Sequence, residues 1–245
     1  MKVYEIKHEI LYFEGDMTGK LSLPNILNLA ILSSTEQSIA YEVGPDFTHD
    51  LGLGWIILQH ILEIKRRPSI GETVTVKTYA KEVNPFFCKR EYIFVDADDN
   101  EIVKIDTLYA MIDMEKRKMA RIPDGIAQKF DPILVKKIAR QPAPDSIAPD
   151  EQLLRSQDYR VRFTDIDSNQ HVNNSKYLNW TQDVLGPEFL LSHEPSHVNI
   201  KFEHEVRLGD TVDSKVIVTG NATRHQISSG ANLAAEASID WTTNA

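Results

Sequence analysis

Between Val161 and Trp180 the chain reads VRFTDIDSNQHVNNSKYLNW, and its middle gathers Asp165, Asp167, Asn169, His171, Asn173 and Asn174. Asp165-x-Asp167-x-Asn169 opens as a calcium loop does. Gln170 stands where that loop needs a glycine for its sharp turn, however, and Lys176 where the ion needs a bidentate acid. His193 and His197 have the spacing of a helical ligand pair, but Pro195 between them would break such a helix. No metal is expected at either place. What remains is a carboxylate, an amide and an imidazole, Asp167, Asn169 and His171, at alternate positions ahead of a predicted helix. If that segment is extended, the three side chains emerge on one side, and the helix start offers backbone N–H groups to an oxyanion. Such a cluster suits acyl transfer to water. An Asx-rich loop whose Asp and Asn only cap turns accounts for the spacing equally well.

Other chemistries lack support. There is no G-x-S-x-G elbow, P-loop or G-x-G-x-x-G motif, and Gly52-Leu53-Gly54 lacks the third glycine and the following helix, so no nucleotide cofactor is expected. Cys88 is the single cysteine, which excludes an intrachain disulfide; in PFFCKREY it reads as a packed strand residue. A net charge of −9 argues against non-specific nucleic-acid binding, which needs phosphate neutralisation. The N-terminal MKVYEIKHEILYF has no continuous apolar run of the signal-peptide kind, and no stretch approaches the ~20 apolar residues of a membrane span. A cytoplasmic protein is expected. Charge is uneven, since Glu115 to Arg140 holds eight basic residues against three acids. That segment is either a solvated connector or a docking surface for an acidic partner.

The elements that must position the cluster come in two copies. Tyr159 to Phe163 alternates apolar and polar residues as a half-buried strand. Asn174 can cap a helix carrying Tyr177, Leu178, Thr181 and Leu185, and strand-like runs follow at 197–202, 211–219 and 233–241. The N-terminal part repeats that order: a strand at 3–13, a helix from about Pro24 to Tyr41, then strands at 55–65, 73–82, 88–96 and 102–113. Ile70-Gly71-Glu72-Thr73-Val74 matches Leu208-Gly209-Asp210-Thr211-Val212, a Gly-acid turn feeding a β-branched strand in each copy. Carrying this register back pairs Glu205 with Arg67, and GDMTGKLSL near the first helix has neither Asn nor His, so only the second copy carries the chemistry. The fold class is α+β: two tandem units, each a curved antiparallel sheet packed around a long helix. Their bounds are placed at 1–121 and 158–245, with a proline-containing linker at 122–157.

The segment DIDSNQHVNNSKYLNW resembles the signature of the acyl-acyl carrier protein (ACP) thioesterases, made of two tandem hot dog domains. Trp55 followed by IKRRPSIGETVTVKTY resembles that family's N-domain strand pair, and VNIKFEHEVRLGDTV the segment that completes its active site. The resemblance implies hydrolysis of fatty acyl-ACP, with catalytic residues at Asp167, Asn169, His171 and Glu205 and substrate contacts at Asn173, Asn174 and Trp55. It also implies an acyl-chain pocket in the first domain, an acyl carrier protein as partner, no cofactor, and either a monomer or a homodimer. Plant members have cysteine directly after the glutamate; Val206 stands there, which favours general-base attack by water over a thiolate. In this scheme Glu205, oriented with His171, activates water and Asp167 holds His171 or its neighbours in register. Asn169 orients water or the carbonyl, and an N–H near Val172 or Asn173 receives the oxyanion. Acyl-CoA hydrolysis, hydroxyacyl dehydration and non-catalytic acyl-thioester binding are the alternatives.

Overall fold

The computed structural model describes residues 1–148, 150–167 and 171–244. The chain divides into two compact units, Met1–His60 with Lys65–Gln141, and Ile61–Ile64 with Pro142–Ala245.

In the first unit, strand β1 (Tyr4–Glu9) leads into a 3₁₀ turn (Tyr12–Glu14), helix α1 (Leu23–Ala40) and the short helix α2 (Pro45–Asp50). Strands β2 (Leu53–Ile64, of which Ile61–Ile64 are counted with the second unit), β3 (Thr73–Val83), β4 (Phe87–Val95) and β5 (Glu101–Asp113) follow, then the two-residue strand β6 (Lys118–Met119), helix α3 (Asp124–Phe130) and a second two-residue strand, β7 (Ile133–Leu134). The main strands lie in the order β1-β3-β4-β5-β2, and β7 runs parallel to β3. Pro24 sits in the first turn of α1, where its missing N–H costs nothing, and left-handed Glu42 follows the helix's last residues. β3 alternates as a strand with one covered face should, with Val74, Val76, Thr78 and Ala80 buried.

The interior of this unit is not apolar throughout, as the helix sequence alone suggests. Leu23, Ile26, Leu27, Leu29 and Ala30 fill the first half of α1's buried surface, but Ser33, Ser34 and Gln37 occupy the second. Arg90 there donates to Gln37 Oε1 (2.5 Å) and Thr78 Oγ1 (3.0 Å), and the Tyr92 hydroxyl joins Ser34 (3.1 Å) and Tyr109 (2.5 Å). Buried polar groups are paired, which keeps their desolvation from costing stability. Cys88 is buried on β4, and burial pushes its thiol up to about 11, so it stays protonated.

The second unit repeats the plan. Strand β8 (Arg155–Arg160), a 3₁₀ turn (Phe163–Asp165), helix α4 (Asn174–Asp183) and short helix α5 (Pro187–Ser192) precede β9 (His193–Phe202), β10 (Thr211–Thr219), β11 (Ala222–Ser229) and β12 (Asn232–Thr243). The sheet order is β9-β12-β11-β10-β8, with every adjacent pair antiparallel. Register shifts at Ile227/Ser228 and Asp240/Trp241 mark bulges, which bend a sheet around its helix. Tyr177, Leu178, Trp180 and Thr181 are the buried face of α4, and Ser214 of β10 donates to the Trp180 carbonyl (3.2 Å). Each unit is a hot dog fold, a curved antiparallel sheet around a long helix, and the two stand in tandem.

Local departures from the sequence reading have physical reasons. The strand placed at 159–163 runs instead from Arg155 to Arg160, because Val161 leaves the ladder to bond Asp210 and Phe163 enters a 3₁₀ turn. β11 was not foreseen: Ala222–Ser229 is half polar, and its buried positions are Thr223, His225 and Ile227. Pro195 lies within β9, so His193 and His197 are on a strand. No helix among the described residues is long and apolar enough to cross a membrane.

Candidate active site

The loop that carries the chemical residues is built by backbone bonds. Asp165 is buried, its carboxylate accepts the Arg162 N–H (2.9 Å), and its own N–H donates to the Arg162 carbonyl (3.0 Å), which closes the 3₁₀ turn. Ile166 and Val172 then form an isolated antiparallel bridge. Inside it the Asp167 N–H donates to the His171 carbonyl (2.8 Å), while the His171 N–H lies 3.5 Å from Asp167 Oδ1. Asp167 and His171 are thus bonded backbone partners across the loop. Asn169 lies outside the described residues.

Helix α4 starts one residue earlier than the sequence suggests. Asn173 is its N-cap, with Oδ1 accepting the Ser175 N–H (3.0 Å), and Asn174 is the first helical residue. The Asn173 N–H donates to the Asp165 carbonyl (2.9 Å) and the Val172 N–H to the Val206 carbonyl (3.3 Å). Both amides expected to receive an oxyanion are thus committed to protein carbonyls. The N–H of Asn174, in the first turn, has no intrahelical acceptor.

Glu205 comes from the segment that leaves β9. Glu203 N–H bonds the Ala234 carbonyl (2.8 Å), and a turn closes at Arg207–Asp210 through the Arg207 N–H to Asp210 Oδ2 (2.9 Å), with Gly209 at φ +86° where a side chain would be strained. Between these anchors Val206 pairs with Val172. The residues preceding them, Glu205 and His171, are brought side by side, with His171 Nε2 3.3 Å from Glu205 Oε2. Their side chains are 27% and 35% exposed, open enough for a substrate and water to reach. Val206 is buried. Among the described residues no group of three or more His, Cys, Asp or Glu is arranged to hold a metal ion.

The first unit builds the same frame with different side chains. Asp16 N–H donates to the Lys20 carbonyl (2.9 Å), Leu21 N–H to Pro68 (2.8 Å) and Ser22 N–H to Glu14 (3.1 Å), matching Asp167 to His171, Val172 to Val206 and Asn173 to Asp165. Asp16, Lys20 and Arg67 therefore stand at the positions of Asp167, His171 and Glu205. Arg67 is buried, donating to Asp16 Oδ2, to Thr18 Oγ1 (3.2 Å) and to the Leu21 carbonyl (3.3 Å). Trp55 also belongs to the first unit, on β2, where its ring packs edge-on against Tyr109 (6.1 Å) beside the buried cluster of Val43, Met111 and Phe130.

Sequence reasoning passed over Tyr177. It is buried on α4 and packs edge-on against Trp180 (5.1 Å) and Phe202 (5.2 Å), and burial, helped by the Glu205 charge, raises its phenol above the ordinary range. The available signal was its repeat partner, Ile26, which has no hydroxyl.

Comparison with known proteins gives the frame a family. Residues 1–130 match the acyl-ACP thioesterase N-terminal domain and residues 148–243 its C-terminal domain. A putative oleoyl thioesterase from Lactobacillus plantarum is 32% identical, with a TM-score of 0.96 over 100% of this chain and 97% of that one. The 12:0-ACP thioesterase from Umbellularia californica, 19% identical, shares the fold with a TM-score of 0.86 over 99% of this chain and 98% of its own. A chloroplastic acyl-[acyl-carrier-protein] hydrolase from Cuphea viscosissima is 26% identical over 169 residues, 67% of this chain and 41% of the plant protein. The chain thus spans about two-fifths of that curated relative, and its two domain matches, in order and covering nearly its whole length, carry the assignment: it belongs to the acyl-ACP thioesterase family.

Proposed function

We propose that this protein hydrolyses fatty acyl-ACP thioesters to free fatty acid and holo-ACP, with no cofactor. The observation that carries the reading is the His171–Glu205 pair, an imidazole and a carboxylate 3.3 Å apart at the open end of a helix-capping loop. Glu205 takes a proton from water as the water oxygen bonds to the thioester carbon. His171, through Nε2–H, holds the carboxylate in line. The carbonyl oxygen becomes an oxyanion, for which the Asn174 N–H at the start of α4 is the donor in reach of helix geometry. Collapse breaks the C–S bond, and the proton held by Glu205 passes to the leaving pantetheine sulfur. Asp167 fixes the His171 backbone, and Asn169 orients water or the carbonyl. Asn173 contributes through the cap, Asn174 through the helix start, and Trp55 through the first unit, which we assign as the acyl-chain domain. A buried Val206 in place of a thiol supports water as the nucleophile.

The partner is an acidic acyl carrier protein. Lys118, Arg121, Lys136, Lys137 and Arg140 are exposed along 118–140, while Lys116 and Lys129 are paired with Asp113 (2.9 Å) and Glu42 (3.3 Å). This stripe supports docking by charge. Thiol release from acyl-ACP substrates of increasing chain length, beside matched acyl-CoA thioesters, tests the reading. Turnover preferring the carrier-linked series supports it; equal or better turnover of the CoA series overturns the choice of partner, and binding without release overturns the hydrolase.

A further inference from the structure

The two copies of the frame differ in the charge that surrounds it. In the second unit the Val161 N–H donates to the Asp210 carbonyl (2.9 Å) and the Gly209 N–H to the Val161 carbonyl (3.3 Å), while the Arg207 N–H donates to Asp210 Oδ2 (2.9 Å) and the Arg162 N–H to Asp165 Oδ2 (2.9 Å). The first unit makes the same four bonds: Ile10 N–H to the Glu72 carbonyl (2.9 Å), Gly71 N–H to the Ile10 carbonyl (2.8 Å), Ser69 N–H to Glu72 Oε2 (3.0 Å) and Leu11 N–H to Glu14 Oε2 (2.7 Å). This register sets Arg160, Arg162 and Arg207 against Glu9, Leu11 and Ser69. The exposed aromatic of the 3₁₀ turn is common to both copies, Tyr12 at 81% and Phe163 at 83%. The three guanidiniums are not. They stand only in the copy that carries Glu205 and His171, and the first unit closes its frame without them, so the fold does not call for them.

We propose that Arg160, Arg162 and Arg207 form an anion-binding rim that takes the phosphate of the phosphopantetheine arm while the thioester sits beside Glu205. The inference rests on the hydrolase reading and deepens it, naming what holds the substrate's arm. Arg160 and Arg162 are exposed on either side of buried Val161, and Glu205 and Arg207 on either side of buried Val206. The bonds between Val161 and residues 209 and 210 join the two segments. Arg207 follows Glu205 by two residues, at most about 7 Å of backbone, which sets its guanidinium back from the acid as the phosphate is set back from the thioester along the arm. Arg162 touches Asp165 through Nε alone (3.4 Å) and its side chain is 74% exposed, so its terminal nitrogens face solvent. The Arg160 and Arg207 side chains make no hydrogen bond or ion pair among the described residues. Of the neighbouring carboxylates, Asp165 and Asp210 already accept backbone N–H groups, and Asp158 is set back along β8. A planar guanidinium meets phosphate through two parallel N–H groups, which makes arginine the cation suited to this end of the arm.

The test separates the phosphate from the carrier protein. Full-length protein is assayed for thiol release from S-acyl-phosphopantetheine and S-acyl-pantetheine of the same chain length, which differ only in that phosphate. Wild type is expected to favour the phosphorylated substrate in kcat/KM by at least about 10-fold, the scale of one charged hydrogen bond. Arg160→Gln, Arg162→Gln and Arg207→Gln together are expected to bring that ratio to about 1, through KM and with an unchanged melting temperature. Arg155→Gln, at the far end of β8, controls for net charge and should keep the wild-type ratio. A wild-type ratio near ~1, or a ratio that survives in the folded triple variant, overturns the rim. Should the triple variant lose acyl-ACP turnover while keeping the ratio, the arginines serve carboxylates of the carrier and the proposal also falls. A wild type that turns over neither these substrates nor acyl-ACP overturns the hydrolase reading, and calorimetric binding of phosphopantetheine against pantetheine then decides the rim separately. Tighter binding of the phosphorylated arm that is lost in the triple variant upholds it, and equal binding ends it.

Discussion

Arg67 occupies in the first unit the position that Glu205 occupies in the second. Each precedes the residue whose carbonyl closes the loop, Pro68 accepting from Leu21 (2.8 Å) and Val206 from Val172 (3.3 Å). A guanidinium cannot take a proton from water, so the exchange of acid for base turns a site into a staple, with Arg67 bound to Asp16 and Thr18.

Glu205→Gln keeps the size of the side chain and removes its basicity. Turnover of acyl-ACP is expected to fall by about 10² to 10⁴-fold, with little change in melting temperature because Glu205 is exposed. Stopped-flow or steady-state thiol release checks it; a folded variant with near-native kcat would show that another group is the base.

Arg67→Met is expected to destabilise the protein by about 2–4 kcal/mol, since it leaves Asp16 without its main cation and empties a buried guanidinium site. The Asp16 carboxyl also makes stability depend on pH. Burial pushes its carboxyl up, but the bonds from Thr18 and Arg67 and the Arg67 charge outweigh burial and hold it below the usual value. A depressed folded-state value stabilises above the ordinary carboxylate range near ~4 and is lost as pH falls through the folded value. Urea melts between pH 5 and 2 should be flatter for Asp16→Asn than for wild type; parallel curves would remove the staple from the account.

His225 lies in the core of the second unit, where its Nε2 meets Thr223 Oγ1 (2.8 Å), an atom that also accepts the Trp241 indole N–H (2.9 Å). Burial lowers the imidazole to about 3, so it is neutral when folded. The unfolded chain takes up a proton near pH ~6.5, and the stability held above that value is lost as pH drops from there toward about 3. The loss from this one group amounts to at most ~1.4 kcal/mol per pH unit. His225→Leu should show a shallower decline of melting temperature between pH 6 and 4, and an unaltered slope would assign the acid sensitivity elsewhere.

Capture of the carrier protein should weaken with salt if the 118–140 stripe docks it. KM for acyl-ACP is expected to rise several-fold between 50 and 300 mM salt while kcat holds, and Lys136→Glu with Lys137→Glu to raise KM at low salt. A KM indifferent to both changes would place the docking surface on another face.

The sequence by itself determined the periodic elements and the turns. Alternation marked β3, β5 and β10, apolar spacing with Pro24 marked α1, and the Gly-acid turns at Gly71 and Gly209 declared a repeat, because these signals depend only on neighbours in the chain. Half-polar β11 escaped, since its burial is decided by α4 and the adjacent strands rather than by its own pattern. Tertiary structure alone decided the chemistry of the site. Glu205 is far from His171 in sequence, and the Val172–Val206 bond brings the two segments together, with the side chains 3.3 Å apart. It also decided that the Val172 and Asn173 amides are already spent and that Asn173 and not Asn174 caps α4, because a backbone donor's partner is fixed by how segments meet in space.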